Sequence, residues 1–140
     1  MAQVNRDSVD PAIKAVQTRK CRYATFKLNA ETMLIELDKQ SARSASYKDF
    51  VKDLKDNLPR FCLYDYEYLS PDGRRTSSLY CISWMPESVN QKDRILYSSA
   101  KNNFIGLLQG YNFFSCETKD EVREKLENES FIENNNTAAT

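Results

Sequence analysis

A long β-prone hairpin is the feature of this sequence that most constrains its fold. The run R-F-C-L-Y-D-Y-E-Y, which begins at Arg60, is rich in aromatic residues, and a second apolar run covers residues 76–84. Aromatic residues of this kind favour strands. The intervening S-P-D-G-R-R contains Pro-Asp-Gly, a turn signal, because proline presets the first turn angle and glycine accepts a positive φ. We therefore expect two antiparallel strands, apolar enough to be buried on both faces.

Two further stretches alternate as half-buried strands do. In R-Y-A-T-F-K-L, Ala24, Phe26 and Leu28 share one face, and T-M-L-I-E-L-D follows after a turn at Asn29. Alternation with a period of two is typical of a strand with one buried side. Y-N-F-F-S-C-E comes directly after Gly110, a residue that ends helices, and predicts one more strand. The sequence thus predicts a second hairpin and a separate strand near the C-terminus.

Helices are predicted around these strands. Three of them start at capping patterns: Asp10 before Pro11, Ser46 with Asp49, and Thr118 with Glu121. The second of these helices should extend to Leu58, and a long helix should span residues 92–109. Strand pairs interleaved with helices predict an α/β (α+β) fold, in which a central sheet is sandwiched by helices on both faces.

The length and the two ends predict one folded domain. A chain of 140 residues fits a single domain with a substantial core. Residues 1–9 are polar and lack periodicity, so they predict a flexible N-terminal arm. Residues 133–140 have the composition of a disordered tail. The domain itself should therefore cover residues 10–132.

The charge balance and the apolar pattern exclude several classes of partner. Twenty Lys and Arg residues balance twenty Asp and Glu residues, which gives a formal charge of zero. No global field attracts nucleic acid or an anionic membrane, so neither is expected as a partner. No apolar run approaches the ~20 residues that span a bilayer, and the N-terminus lacks a secretory apolar segment. We expect a cytoplasmic monomer.

Composition also excludes several kinds of catalytic site. The chain has no histidine, hence no hydrolase triad, and its three glycines form no phosphate-binding loop. Its four cysteines occur singly, so neither a zinc site nor a cofactor is expected. Asp65 and Glu67 share a strand face and could act as acid and base, although a cation-paired or solvated face is the simpler interpretation. A binding protein, not an enzyme, is predicted.

The predicted helix of residues 92–109 carries two stripes at helical spacing. The inward stripe is apolar and consists of Leu96, Ala100, Phe104, Leu107 and Leu108. The second stripe lies on a different side and consists of Arg94, Ser98, Lys101 and Ile105. An ordinary solvated face would explain the cations of the second stripe, but an apolar residue among cations and hydroxyls is typical of a partner surface.

Several motifs around this helix resemble one family. The Trp-x-Pro-Glu turn from Trp84, the spaced cations Lys92 and Arg94, and L-Y-S-S-A-K ending at Lys101 resemble the actin-depolymerising factor/cofilin family, especially its small actophorin-like members. R-Y-A-T-F-K-L-N, Y-x-D-F, L-P-R-F-C-L-Y-D-Y-E-Y and D-G-R-R are similar too, so the resemblance covers residues 4–126. It implies an ADF-homology domain with a mixed sheet of about five strands and four or more helices, and actin as the partner.

The resemblance also implies an actin monomer-binding surface. In the family, the long helix and the N-terminal arm wedge into a cleft between two actin subdomains. The matching positions are Val4, Asn5, Arg6, Asp7, Ser8, Lys92, Arg94, Ile95, Leu96, Ser98, Ser99 and Lys101, to which the second stripe adds Ile105. Ile95 replaces the usual methionine. Ile105 and Gly106 stand where lysines are common, which weakens the case for phosphoinositide regulation.

Filament binding in the family needs a second surface, which this sequence carries only in part. The resemblance implies Arg74 and Arg75 near one strand start and Glu124 and Lys125 on the last helix. The two usual strand cations, however, fall on Thr76 and Ser78, and the next helix cation falls on Asn128. We therefore expect monomer binding with weak filament binding or severing.

Family members are often inactivated by phosphorylation of a serine close to the N-terminus. Ser8 is the only serine in the predicted arm, several positions later than usual. A phosphate there would add about two negative charges beside a basic surface. Ser8 is thus the candidate regulatory site.

Two alternative functions stay open. An ADF-homology protein that regulates actin-related branching complexes, instead of actin itself, would share the fold. A thiol-dependent enzyme could use Cys21, because its neighbours Arg19, Lys20 and Arg22 could lower the pKa of the thiol.

Overall fold

The structure of the chain is a computed structural model that describes residues 3–70 and 72–134, with side chains as far as residue 127. Its strands are β1 (Gln3–Val4), β2 (Tyr23–Asn29), β3 (Leu34–Gln40), β4 (Arg60–Leu69), β5 (Arg75–Trp84) and β6 (Tyr111–Cys116). Its helices are α1 (Arg6–Gln17), α2 (Tyr47–Asp53), α3 (Gln91–Ile105) and α4 (Lys119–Asn134). The six strands form one sheet in the order β1-β3-β2-β4-β5-β6.

The sheet is mixed and contains both predicted hairpins. β4 and β5 pair antiparallel from Arg60 opposite Trp84 to Leu69 opposite Arg75, and β2 and β3 also pair antiparallel. β1 and β6 add to the two edges in parallel, beside β3 and β5 respectively. In the β4–β5 turn, Gly73 has a φ of 84°, the left-handed conformation that glycine adopts without strain. The prediction of about five strands missed only the short β1.

Two separate cores lie on the two faces of the sheet. In β4, Phe61 and Leu63 face a first core that α1 and α3 cover, while Cys62 and Tyr64 face a second core. Aromatic residues of α2 and apolar residues of α4, including Val122, cover the second core. The predicted sandwich of helices on both faces of a sheet is confirmed.

Aromatic side chains hold α3 on the first core. The ring of Phe104 is fully buried, and its centroid lies 5.0 Å from that of Phe26 and 5.2 Å from that of Phe61. Tyr97 is also buried, and its hydroxyl accepts a 2.9 Å hydrogen bond from the amide of Leu28. The predicted inward stripe is therefore right for Ala100 and Phe104. It missed Tyr97, and it overstated the half-buried Leu96, Leu107 and Leu108.

The prediction of an irregular arm over residues 1–9 is wrong for residues 3–9. β1 pairs with β3, Asn5 caps α1 by accepting from the amide of Ser8, and Val9 is fully buried. The helix predicted to begin at Asp10-Pro11 therefore starts a turn earlier, and Pro11 lies inside it. Residues 1 and 2 lie outside the described residues.

Three other boundaries differ from the predictions. The capping box at Ser46 and Asp49 is present, but α2 ends at Asp53 and Leu58 is 38% exposed. Helix α3 ends at Ile105, not at residue 109, with Gly106 as its cap. Helix α4 continues to residue 134, so the predicted tail of 133–140 begins within it, and residues 135–140 lie outside the described residues.

The aromatic anchor of α3 gives a stability prediction. Phe104→Ala should lower the free energy of unfolding by about 3–5 kcal/mol, because it leaves a cavity beside the rings of Phe26 and Phe61. Ile95→Ala on the same helix is the matched control. Since Ile95 is 55% exposed, its loss should change that free energy by no more than about 0.5 kcal/mol. Urea unfolding followed by circular dichroism measures both, and equal losses would contradict this packing of α3.

Candidate protein-binding surface

The second stripe of α3 lies on the surface of the protein. Ser98 is exposed, Arg94, Lys101 and Ile105 are half-buried, and the neighbouring Ile95 is 55% exposed. These five residues are called the outer face below. Because Tyr97 and Phe104 pack inward, Arg94, Lys101 and Ile105 lie on a flank of the helix, while Ser98 and Ile95 point further toward solvent. The outer face therefore combines two cations, a hydroxyl and two isoleucines.

The other predicted helix positions flank this face. Lys92 and Ser99 are exposed at its border. Leu96 is half-buried and packs against the first core, so only part of its side chain is accessible to a partner.

The two cations of the outer face have different surroundings. The guanidinium of Arg94 donates to the carbonyls of Pro86 at 3.1 Å and Glu87 at 3.2 Å, so it ties the Trp-x-Pro-Glu turn to the helix. The ammonium of Lys101 lies 5.5 Å from the ring centroid of Phe113 on β6. Arg94 thus has a structural role as well as an exposed charge.

The N-terminal segment lies beside α3. Val4 of β1 pairs with Ile35 of β3, Ile35 pairs with Leu28 of β2, and the amide of Leu28 donates to Tyr97 in the middle of α3. β1 also contacts α3 directly, so Val4 is next to the helix. The predicted contact residues of the segment, however, are held in β1 and the first turn of α1 and do not form a loose arm.

A shallow cleft of about 220 Å³ runs between α3 and the start of α4. The helix α3 contributes Arg94, Ser98 and Lys101 to it, and Glu117 and Glu121 lie on the opposite side. The carboxylate of Glu121 accepts from the amide of Glu117 at 3.2 Å, which fixes it near the beginning of α4. The cleft therefore has a basic wall and an acidic wall.

Phe113 is a surface residue that the sequence predictions missed. It lies on β6, is 38% exposed, and borders the outer face through Lys101. Alternation within Y-N-F-F-S-C places Phe113 on the opposite side from Phe114 and Cys116, which are buried in the second core. That alternation was the available signal. The alternation does not show, however, that Phe113 contacts Lys101 on α3.

The predicted filament-binding residues occupy two other exposed regions. Arg74 and Arg75 lie at the tip of the β4–β5 hairpin, and Glu124 and Lys125 lie on α4. Pairing of β2 with β4 stops at Tyr64, and pairing of β6 with β5 begins at Leu79, so within the described sheet the hairpin projects beyond its neighbours.

The two strand positions that lack the family's cations differ in exposure. Thr76 is half-buried, and Ser78 is 8% exposed. The hydroxyl of Ser78 lies 3.2 Å from that of Tyr68. The basic character of the projecting hairpin is therefore concentrated at its tip.

Three arginines bind the carboxylates at the base of this hairpin. Asp65 is fully buried and pairs with Arg43 at 2.7 Å, while Glu67 pairs with Arg19 at 2.7 Å and with Arg22 at 2.6 Å. Asp65 and Glu67 are thus cation-paired, as the simpler interpretation of the sequence held. These five residues are called the arginine clamp below.

The predicted thiol site is not supported. Cys21 is 1% exposed, and burial raises the pKa of its thiol above the ordinary value, against a smaller lowering by the Arg43 guanidinium. The neighbouring Arg19 and Arg22 are engaged with Glu67. The alternative in which basic neighbours lower the pKa of this thiol is therefore not supported, because desolvation dominates.

Within residues 3–70 and 72–134, no group of three or more His, Cys, Asp or Glu side chains could hold a metal ion. None of the described helices has the length and apolar character needed to cross a membrane.

The fold and its exposed helix face define a class: small three-layer α/β domains that present one long helix to solvent. Residues 1–130 match the family described as cofilin/tropomyosin-type actin-binding protein. The chain therefore belongs to this family of actin-binding proteins.

Individual relatives agree with that assignment. Actophorin from Entamoeba histolytica is 34% identical over 93 residues, which are 66% of this chain and 67% of the relative. Actin-depolymerizing factor 2 from Oryza sativa is 26% identical over 107 residues, 76% of this chain and 74% of the relative. The cofilin structure from Streptomyces griseoflavus is 27% identical, with a TM-score of 0.82 and coverage of 93% of this chain and 97% of that chain.

The buried cysteines give a prediction about reactivity. Burial raises the pKa of all four thiols, to about 12 for Cys81 and Cys116, so the thiolate fraction is small at neutral pH and should grow only in the alkaline range. We expect native Cys21 to react with iodoacetamide far more slowly than in denaturant, measured site by site by mass spectrometry. Native labelling of Cys21 at the denatured rate would restore the thiol hypothesis.

Proposed function

We propose that this protein binds monomeric actin through the outer face of α3 and the adjacent N-terminal segment, and that it promotes filament turnover as a depolymerising factor. The observation that carries the proposal is the exposure of the outer face in a chain that belongs to an actin-binding family. The relatives named actophorin and actin-depolymerizing factor support the same partner.

The outer face has the composition of a helix that docks in a groove. Ile95 and Ile105 supply apolar contact near the two ends of the face, while Arg94 and Lys101 supply positive charge along it. Apolar anchors of this kind contribute most of the affinity, and neighbouring charges set orientation and association rate. The monomer contacts proposed are those that the family resemblance implied, with Leu96 contributing only its exposed part.

We propose that filament binding and severing are weaker than monomer binding. Arg74, Arg75, Glu124 and Lys125 are exposed, although Arg74 pairs with Asp72 at 2.8 Å. Thr76 and the buried Ser78 supply no charge where the family resemblance expects cations. The filament surface would therefore attract acidic partner groups only at the hairpin tip and on α4.

The protein is proposed to act by binding and not by catalysis, and to need no cofactor. It is proposed to be a cytoplasmic monomer associated with the actin cytoskeleton. Neither nucleic acid nor stable membrane association is proposed. The family supports the first part, because it is one of actin-binding proteins. The balanced charge of the chain supports the exclusion of nucleic acid.

Ser8 stays the candidate for regulation by phosphorylation. Its hydroxyl donates to the carbonyl of Asn5 and accepts from the amide of Leu37, both at 3.3 Å, and the residue is half-buried. A kinase would have to open the first turn of α1 to reach it. Phosphorylation would then separate α1 from β3 in addition to adding negative charge beside the outer face.

Charge reversal on the outer face tests monomer binding. Arg94→Glu with Lys101→Glu should weaken the affinity for monomeric actin at least about tenfold, because both positive charges of the face are reversed. Lys101→Glu alone separates the contact from the structural role of Arg94. Lys48→Glu with Lys52→Glu on the opposite layer, where both residues are exposed, is the charge-matched control. Titration of labelled actin gives the affinities, and unchanged binding by the first double variant would overturn the face assignment.

Co-sedimentation tests the filament half of the proposal. At ordinary salt, the wild-type protein should pellet only partially with filamentous actin, because two cation positions are absent from the filament surface. Replacing the half-buried Thr76 by lysine, which restores a cation at one of these positions, should increase the pelleted fraction. Tight, saturating pelleting of the wild-type protein would show that filament binding is not weak.

A further inference from the structure

Lys101 is the outer-face cation with an aromatic partner. Its ammonium lies 5.5 Å from the ring centroid of Phe113, within the roughly 6 Å over which a cation is attracted to the face of a ring. Arg94, by contrast, directs its guanidinium to two backbone carbonyls, and Lys92 is exposed at the first turn of the helix. The ring contact leaves the ammonium hydrogens of Lys101 available to a partner.

The packing of the domain does not account for the position of Phe113. This residue is 38% exposed on an edge strand and belongs to neither core, whereas the next residue, Phe114, is 7% exposed and packs in the second core. A large apolar side chain at an edge exposes surface that a polar residue would not. Its defined contact is with the outer face of α3.

We propose that Phe113 is a positioning residue of the actin-binding surface, and that it acts by holding Lys101 ready for a carboxylate of the partner. The inference rests on the proposed function and extends the surface from α3 onto β6. A free lysine side chain loses rotamer freedom when a partner orders it. The ring restricts that freedom before binding, so less of it is lost in the complex.

The acidic wall of the cleft influences how an acidic group of the partner is oriented. Glu117 and Glu121 line the same cleft as Lys101. A partner carboxylate is attracted to the ammonium and repelled by these two glutamates, so approach from the side away from the acidic wall is favoured. The arrangement therefore favours one orientation of an acidic partner group, by attraction on one side and repulsion on the other.

A double-mutant cycle tests the inference. Phe113→Leu keeps apolar volume but removes the ring face, and Phe113→Tyr keeps the ring. Each is made with native Lys101 and with Lys101→Met, and monomeric actin is the probe. Phe113→Leu should weaken affinity about two- to fivefold, the range expected of an exposed cation–π contact. Phe113→Tyr should bind actin with the affinity of the wild type. In protein that already carries Lys101→Met, Phe113→Leu should not change the affinity further.

A spectroscopic measurement and a matched control complete the test. In the free protein, the ε-methylene protons of Lys101 should be shifted upfield by the ring in nuclear magnetic resonance spectra, and Phe113→Leu should remove that shift. Leu58→Ala is the control for loss of exposed apolar surface, since Leu58 is also 38% exposed. It should leave the affinity unchanged.

The outcomes separate this inference from the proposed function. If Lys101→Met weakens binding while Phe113→Leu does not, the positioning role is overturned and the outer face stands. If Phe113→Leu weakens the affinity for actin by the same factor when Lys101 is already replaced by methionine, the ring contacts actin independently of Lys101. The positioning role is again overturned. If the wild-type protein does not bind, or Lys101→Met binds as tightly as the wild type, the proposed face fails and the inference fails with it.

Discussion

Two-sided burial of the β4–β5 hairpin is the constraint on which the rest of the fold depends. Phe61 and Leu63 enter the core beneath α1 and α3, while Cys62 and Tyr64 enter the core beneath α2 and α4. A shift of register by one residue would exchange these two sets of side chains, so the register is strongly determined. It also fixes the place of α3, because Phe104 packs directly on Phe61. The outward side of α3 is thus set by residues that never reach the surface.

The elements with local signals could be predicted from the sequence. Pro-Asp-Gly and strand alternation predicted the two hairpins, and the capping box of Ser46 and Asp49 predicted where α2 begins, because in each case the interacting residues are neighbours in the chain. Spacing within one helix likewise predicted that Arg94 and Ser98 share a stripe outside the core. The period of a strand or a helix and local turn and capping residues are enough to predict these features. No knowledge of the tertiary structure is needed for them.

Features that depend on distant partners could not be predicted. The N-terminal segment is polar and resembles a loose arm, but the amide of Gln3 donates to Met33 at 3.1 Å and that of Asn5 to Ile35 at 2.8 Å. Those partners are about thirty residues away, so no local pattern marks them. The contact of Lys101 with a ring on β6 and the burial of Cys21 have the same origin. In both cases the environment, not the neighbouring sequence, decides what the side chain can do.

The arginine clamp links the projecting hairpin to two separate connections of the chain, the one between α1 and β2 and the one between β3 and α2. Arg19 follows α1, Arg22 precedes β2, and Arg43 lies in the loop after β3, yet all three meet Asp65 or Glu67 at the base of the hairpin. Because Asp65 is fully buried, moving it away from its arginine would leave a charge without compensation. A force applied at the hairpin tip would consequently be transmitted to both connections together, because the hairpin is braced at its base and is not free to swing as a hinged flap.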